Sequence, residues 1–434
     1  MEQINPHAAG IDLGSREVYV SVPNAPVRRY ATFTEDLTQL VAYLMEQKIT
    51  TVAMEATGIY WIVLYDLLEA AGLEVCLVNG AHVRNVPGRK SDVQDCQWLQ
   101  QLHRHGLLHA SFVPPEEVRV LRSYRRLRED HVERAADCVR HMQKALDLMN
   151  IKLHTVVSQL QGASGMRIVD AILAGQRNSF TLTELCDEQI LKTKRAAVER
   201  SLHGNWKVEH LFALGQARRA WGFYQEQIAA CDREIDAQLQ KMGEDKPDPP
   251  PRNGPVKPIR HNAPQIDGLD EKLRRLTGGI DPTLIPGFTD RTFLQLVAEV
   301  GLDMSRWATS GHFTSWLGLA PGLHQSGRTK KRGWGRRKTQ AGQIFRIMAQ
   351  SIGHSKYPAL GGFYRRIKGR HCAPVAIVAT ARKLAVLYYQ LMRYGVAYVE
   401  QGLAAYEKTY QASQRKRLQQ HAAKLGFNLV PVPA

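Results

Sequence analysis

Four acidic residues stand where they could do chemistry together. Asp12 ends an apolar stretch in GIDLGS, Glu55 ends another in VAMEATG, and Asp92 and Asp95 lie three apart in PGRKSDVQDCQWLQQL. Residues three apart on a helix share a face, and Leu99 and Leu102 follow on it. One reading is local: acids in a first helical turn complement the helix dipole. The other brings all four to the carboxyl edge of a sheet, where open α/β folds keep their active sites. Converged carboxylates repel one another and stay ionised only beside cations, and hard oxygen donors suit Mg2+ or Mn2+. Two such ions about 4 Å apart can clamp the attacking and leaving oxygens of a phosphodiester.

The elements that must position these acids are written in the first 110 residues. AGIDL, EVYVSV and VRRYATF read as strands, and Thr34 as the cap of a helix over EDLTQLVAYLMEQK. ITTVAM is a further strand, YWIVLYDLLEAAG a helix ending at Gly72, and LEVCLVN another strand. Strands first, then strand–helix alternation, imply a mixed sheet with parallel members. A strand-end aspartate before L-G-S also grips phosphate in actin-like ATPases. That reading needs a second D-x-G hairpin and a Gly-Gly adenosine motif, and no convincing pair follows.

The chain has 434 residues, with 58 Lys and Arg against 41 Asp and Glu, a net charge of +17. Such an excess favours polyanionic partners through phosphate neutralisation. No apolar run is expected to span a bilayer and the first residues do not read as a signal peptide. The six cysteines form no C-x-x-C pair, which suits a reducing cytoplasm rather than a zinc or disulfide framework. His103, His105 and His109 lack companions at ligand spacing and are assigned no role.

Beyond residue 115 the pattern turns helical. Val132, Ala135, Val139, Met142, Leu146, Met149, Leu153 and Val156 form one heptad seam, and Leu214, Ala217, Trp221, Tyr224, Ile228, Cys231 and Ile235 a second. They fit an antiparallel coiled coil or dimerisation arm, or equally two ordinary core helices. Arg119, Arg122, Arg125, Arg126 and Arg128 lie upstream of the first seam and read as a nucleic-acid-facing row or a solvated face. Residues 243–265 are Pro-rich and read as a linker. In LIPGF, Gly287 marks a tight turn that lets backbone N–H groups approach a phosphate, or simply joins two helices. Ser326 follows in a flexible stretch, and Arg328, Lys330, Lys331, Arg332, Arg336, Arg337 and Lys338 come next with Trp334 among them. Cations with an aromatic suit backbone contact plus stacking on an unpaired base.

GIDLGS, AMEATGIYW and VNGAHVRNVPGRKSDVQDCQWLQQLHRHGLL together resemble the DEDD domain of bacterial insertion-sequence transposases of family one-hundred-ten. These are bridge-RNA-guided recombinases whose DEDD domain is similar to the RuvC Holliday-junction resolvase. IPGFTDRTFLQLVAEVG resembles the family's helix-hairpin-helix-like motif, and FTSWLGLAPGLHQSG its serine-bearing segment. The resemblance implies a multidomain α/β plus α chain. It has a ribonuclease-H-like DEDD domain over residues 1–115, a helical coiled-coil region over 116–242 and the linker over 243–265. A mostly helical C-terminal transposase domain follows over 266–407, then a basic tail over 408–434. It further implies that Asp12, Glu55, Asp92 and Asp95 are the Mg2+-binding tetrad and Ser326 the nucleophile, preferred over Ser310 and Ser315 for its S-G context. The implied partners are donor and target DNA, a noncoding bridge RNA and further copies of the chain, a dimer assembling to a tetramer with the site composed across subunits. Two rivals remain: a resolvase-type two-metal nuclease with no covalent intermediate, and a nonenzymatic RNA- or DNA-binding protein.

Overall fold

Alternation of side chains along its strands decides what the N-terminal sheet can hold. In a computed structural model, the described residues are 3–80, 91–252, 259, 261–320, 322–326, 329–333, 339–355, 357–395, 411–412, 415–416 and 418–427. The chain divides into two compact units, Met1–Val113 and Pro114–Ala434. In the first unit, β1 (Ala8–Leu13), β2 (Glu17–Ser21), β3 (Arg28–Ala31), β4 (Thr51–Glu55) and β5 (Glu74–Val78) form one sheet in the order β3-β2-β1-β4-β5. β2 pairs antiparallel with β1 and β3, while β4 runs parallel to β1 and β5. The expected strands and the mixed sheet are all present. Ala9, Ile11, Leu13, Val52 and Met54 point to one face and join Leu37 and Leu40 of α1 (Thr34–Glu46) and Leu64 and Leu68 of α2 (Trp61–Ala70) in a core. Thr34 is not the cap of α1: Phe33 holds that position, without a side-chain bond, and Thr34 is the first helical residue.

The opposite face is covered by α3 (Asp92–Arg104), which buries Cys96, Leu99, Gln100 and His103. These recur at steps of three and four, as one helical face must. Ala53, Cys76 and Val78 meet Leu99 there. Ser21 donates to Gln100 Oε1 at 2.9 Å, Gln100 Nε2 donates to the Ala8 carbonyl at 3.3 Å, and His103 Nε2 lies 2.8 Å from Thr51 Oγ1. His103 is therefore a packed helix residue, and Leu102 is only half-buried. At Gly10 the helix backbone comes so close that a Cβ would lie 2.2 Å from the Cys96 carbonyl oxygen and 2.4 Å from Gln100 N. Gly10→Ala is accordingly expected to lift α3 off β1 and cost about 1–3 kcal/mol, as overpacking does. A thermal melt checks this, and an unchanged midpoint would mean that α3 is not seated as described.

The second unit is built on two long helices, α4 (Glu116–Leu148) and, after four shorter ones, α9 (Val208–Gly243). They run antiparallel: Gln238 Nε2 donates to the Glu117 carbonyl at 3.0 Å, Arg128 meets Asp232, and His131 faces Tyr224. Between them come α5 (Leu153–Val156), α6 (Ala163–Leu173), α7 (Ser179–Thr183) and α8 (Glu188–Ser201). They close a core with Met142, Leu146 and Leu214. The first seam does not run through one helix. α4 stops at Leu148, Asn150 takes a positive φ of 58°, and Ile151 N donates back to the Leu146 carbonyl, so Leu153 and Val156 belong to α5. Asparagine tolerates the left-handed conformation that ends a helix.

α10 (Leu269–Leu276), a 3-10 turn (Pro282–Leu284), α11 (Asp290–Val300) and α12 (Ser310–Trp316) follow. Then come the two-stranded ribbon β6 (Gly322–Ser326) and β7 (Thr329–Gly333), and α13 (Gln340–Gly353), α14 (Pro358–Arg370) and α15 (Ala373–Tyr394). Phe288, Phe313, Phe345, Tyr388 and Tyr389 form their core. The Pro-rich stretch is in part packed rather than free. The Arg252 side chain, 8% exposed, lies between Asp281 at 2.9 Å and Asp270 and Asp290 at 3.5 Å, and Arg274 donates to the Pro250 carbonyl. By length and composition α15 could cross a membrane, contrary to the expectation of no such run. Its Ala381, Leu384, Ala385 and Tyr388 are buried, and it packs against α12, α13 and α14, as a core helix does.

Candidate functional site

The strand register and the alternation just described put Asp12 and Glu55 side by side. Ile11 pairs with Met54, so Asp12 and Glu55 are the next residues on neighbouring parallel strands. Both alternate with residues of the α1/α2 core, so both point to the α3 face. α3 brings Asp92 and Asp95 in its first turn, where Ser91 caps it by accepting from Gln94 N at 3.3 Å. Burial, then the charges of Asp92, Asp95 and Glu55, raise the Asp12 carboxyl to about 6. Asp12 therefore feels the charge of the three other acids at the carboxyl edge of β1 and β4. Cys96 beside them is inert, its thiol pushed up to about 12 by burial and then by the Asp12 charge.

The donor set fits a hard divalent cation, because all four candidate ligands are carboxylate oxygens. Glu55 also lies in a notch that any larger residue would fill, since a Cβ on Gly80 would fall 1.9 Å from Glu55 Oε1. Among the described residues no three acidic, histidine or cysteine side chains already close around a point that would hold an ion.

The arginine row behaves differently from its expectation as a nucleic-acid-facing surface. Arg122 donates to the Ala298 and Glu299 carbonyls at 3.0 and 2.7 Å, while Arg126 grips the Glu299 carboxylate at 2.9 and 2.7 Å. Arg125 also donates to Glu299. Arg128 is buried on Asp232, at 2.5 and 3.3 Å, and on the carbonyls of Asn262 and Ala263. Arg119 donates to the Pro114 carbonyl at 3.1 Å. Burial alone would raise the Glu299 carboxyl, but the Arg126 hydrogen bond and the charges of Arg125, Arg126 and Arg122 outweigh it and hold it below the usual range. Arg122, Arg125 and Arg128 are thus tie-bars within the second unit. The sequence showed the row's helical spacing but not the carboxylate opposite it.

Gly287 sits in the turn before α11 with φ 89°. A Cβ there would meet Ile352 Cδ1 at 2.8 Å, so packing as well as the turn requires glycine. Ser326 is the last residue of β6, where it pairs with Thr329. Lys330, Lys331 and Arg332 lie on β7 opposite Gln325, His324 and Leu323. Arg328, Trp334, Arg336, Arg337 and Lys338 lie outside the described residues.

The first unit is thus a mixed α/β sheet with an acidic edge. A family model for the DEDD transposase of the IS110 type, described as Transposase, matches residues 9–151. A second, described as Transposase IS116/IS110/IS902 family, matches residues 283–359. The chain belongs to the IS110 family of transposases. It is also similar to the pilin gene-inverting proteins of Moraxella bovis and Moraxella lacunata, each 30% identical over 150 residues. Those matches cover 31% of this chain and 45% of each relative. The chain therefore spans less than half the length of the curated relatives it matches.

Proposed function

We propose that this protein is a DNA transposase and recombinase that cuts and rejoins donor and target DNA. The observation that carries the reading is the meeting of Asp12, Glu55, Asp92 and Asp95 at one sheet edge, within a chain of this family. The antiparallel β3-β2-β1 half and parallel β1-β4-β5 half support a ribonuclease-H-like fold for the first unit. Asp12, Glu55, Asp92 and Asp95 would hold Mg2+ or Mn2+. Such an ion offsets the charge of a reacting phosphodiester and favours ionisation of an attacking hydroxyl.

Ser326 supplies the nucleophile in this reading. Its hydroxyl oxygen bonds to phosphorus as the bond to one strand's sugar oxygen breaks; the serine proton leaves to solvent and the departing oxygen takes one up. A hydroxyl of the other DNA then attacks the phosphoserine and regenerates Ser326, so the number of phosphodiester bonds is conserved. The relatives' name supports rejoining over simple cutting, because a gene is inverted only when both its ends are cut and joined anew. A bridge RNA would supply sequence choice by base pairing. The antiparallel pair α4 and α9 suits a coiled-coil arm joining copies into a dimer and then a tetramer. The setting proposed is the bacterial cytoplasm.

The test incubates the chain with its element-flank RNA, Mg2+ and end-labelled DNA, and resolves products on a denaturing gel. Wild type is expected to give a protein–DNA adduct that Ser326→Ala and Asp92→Ala both lose. Free cut ends that persist in Ser326→Ala would replace this reading with the resolvase-type nuclease. An activity indifferent to removal of divalent ions would leave only a binding protein.

A further inference from the structure

Between Asp303 and Glu400 the sequence contains no aspartate or glutamate, yet it holds 17 lysines and arginines. The rest of the chain is balanced, so this one segment carries the whole net charge of +17. The contrast with α4 is physical. Guanidinium groups there are neutralised inside the fold by Glu299 and Asp232, whereas this segment has no acid of its own. Part of the excess is the basic stretch around β7. A separate part lies where α14 meets α15.

There Arg366, Lys368, Arg370 and His371 follow one another, and Arg382 and Lys383 stand on α15. Lys368, Arg370 and His371 are exposed, and Arg366 is half-buried. Among the described residues, no ion pair involves Arg366, Lys368 or Arg370. Arg366 and Lys383 lie over the Phe363 ring, 5.5 and 4.3 Å from its centroid. The stacking surface that would catch an unpaired base is therefore covered by cations. The exposed residues that follow, Cys372, Pro374 and Val375, offer no aromatic. Cations without a free aromatic platform suit the phosphates of a double helix rather than single-stranded bases. Both helices pack on α13, which begins just after the ribbon that bears Ser326. The corner thus belongs to the body on which the reacting DNA would have to lie.

We infer that the α14–α15 corner, through Arg366, Lys368 and Arg370, is a docking surface for the backbone of duplex DNA. The inference rests on the DNA-acting reading above. The two fail separately, because binding here is read in chelator, where no strand is cut. The experiment measures affinity of the full chain for a duplex of about 30 base pairs, long enough for several phosphate contacts, for an RNA stem of equal length and for the single strands, across a salt series. The variant is Arg366→Gln, Lys368→Gln, Arg370→Gln combined, with an unchanged melt required. Arg140→Gln, an exposed cation on α4 paired with Asp137, is the control.

Three lost phosphate contacts should weaken duplex DNA binding about 100-fold near 0.1 M salt and flatten the log–log salt slope by about 2.7. RNA and single-strand binding should change far less, and the control should match wild type. Unchanged duplex affinity and slope would overturn the inference. A loss confined to RNA would overturn it in favour of an RNA surface, and an equal loss in the control would reduce it to diffuse charge.

Discussion

Asp12→Asn is expected to abolish strand transfer while making the N-terminal unit more stable. Asp12 lies half-buried at the end of β1, and burial together with Asp92, Asp95 and Glu55 raises its carboxyl from 3.8 to about 6. A group whose folded value is raised binds its proton more readily in the folded state. At neutral pH its ionised form therefore costs stability, and asparagine removes that cost without changing shape. The penalty is absent below about 4, grows as pH rises towards 6, and is constant above. In chelator at pH 7.5, the gain should be about 1–2 kcal/mol after allowance for screening, a rise of a few degrees in the melting midpoint. At pH 4 it should vanish. Activity with Mg2+ should fall by at least about 100-fold, more than the loss of a secondary metal contact causes. Opposite signs are the signature of a site whose charges serve chemistry at the expense of the fold. A destabilised Asp12→Asn would show instead that the carboxylate is a structural partner.

Glu299→Ala should destabilise the second unit by about 3–5 kcal/mol, the range for removing one side of a buried ion pair. Its carboxylate, 5% exposed, meets Arg122, Arg125 and Arg126 on α4. Without it the nearly buried Arg125 would keep its charge with no counter-charge from α11. Glu299→Gln keeps some hydrogen-bonding capacity and loses the charge, so it should fall between wild type and alanine. Because the folded carboxyl is held below its ordinary value, this stabilisation is present at neutral pH and fades as pH falls below the usual carboxylate range. Denaturant unfolding measures all three. If Glu299→Ala left the midpoint unchanged, the arginines would be solvated and again available to a phosphate.

Local features made part of this molecule readable in sequence. A short, mostly apolar strand with one acid at or beside its end, as at Asp12 and Glu55, gives both the strand and the position of the acid near its edge. Period two then fixes which neighbours share its face, and the three-residue step from Asp92 to Asp95 fixes a helical face in the same way. These regularities depend only on residues a few places apart.

What lies opposite a face depends on residues far along the chain, and there only the tertiary structure decided. The spacing of Arg119, Arg122, Arg125, Arg126 and Arg128 marks one side of a helix, but Glu299 and Asp232, which make that side an interior, come more than 100 residues later. The order β3-β2-β1-β4-β5, which sets Asp12 beside Glu55, is likewise a matter of pairing across the sheet. The seam through Leu153 and Val156 kept its period across a break, because an apolar side chain serves two short helices as well as one long one. The sequence by itself determined the strands, their terminal acids, the acidic helix start and the net charge. The fold determined which charges meet, because burial and pairing are properties of a surface that no single stretch of chain contains.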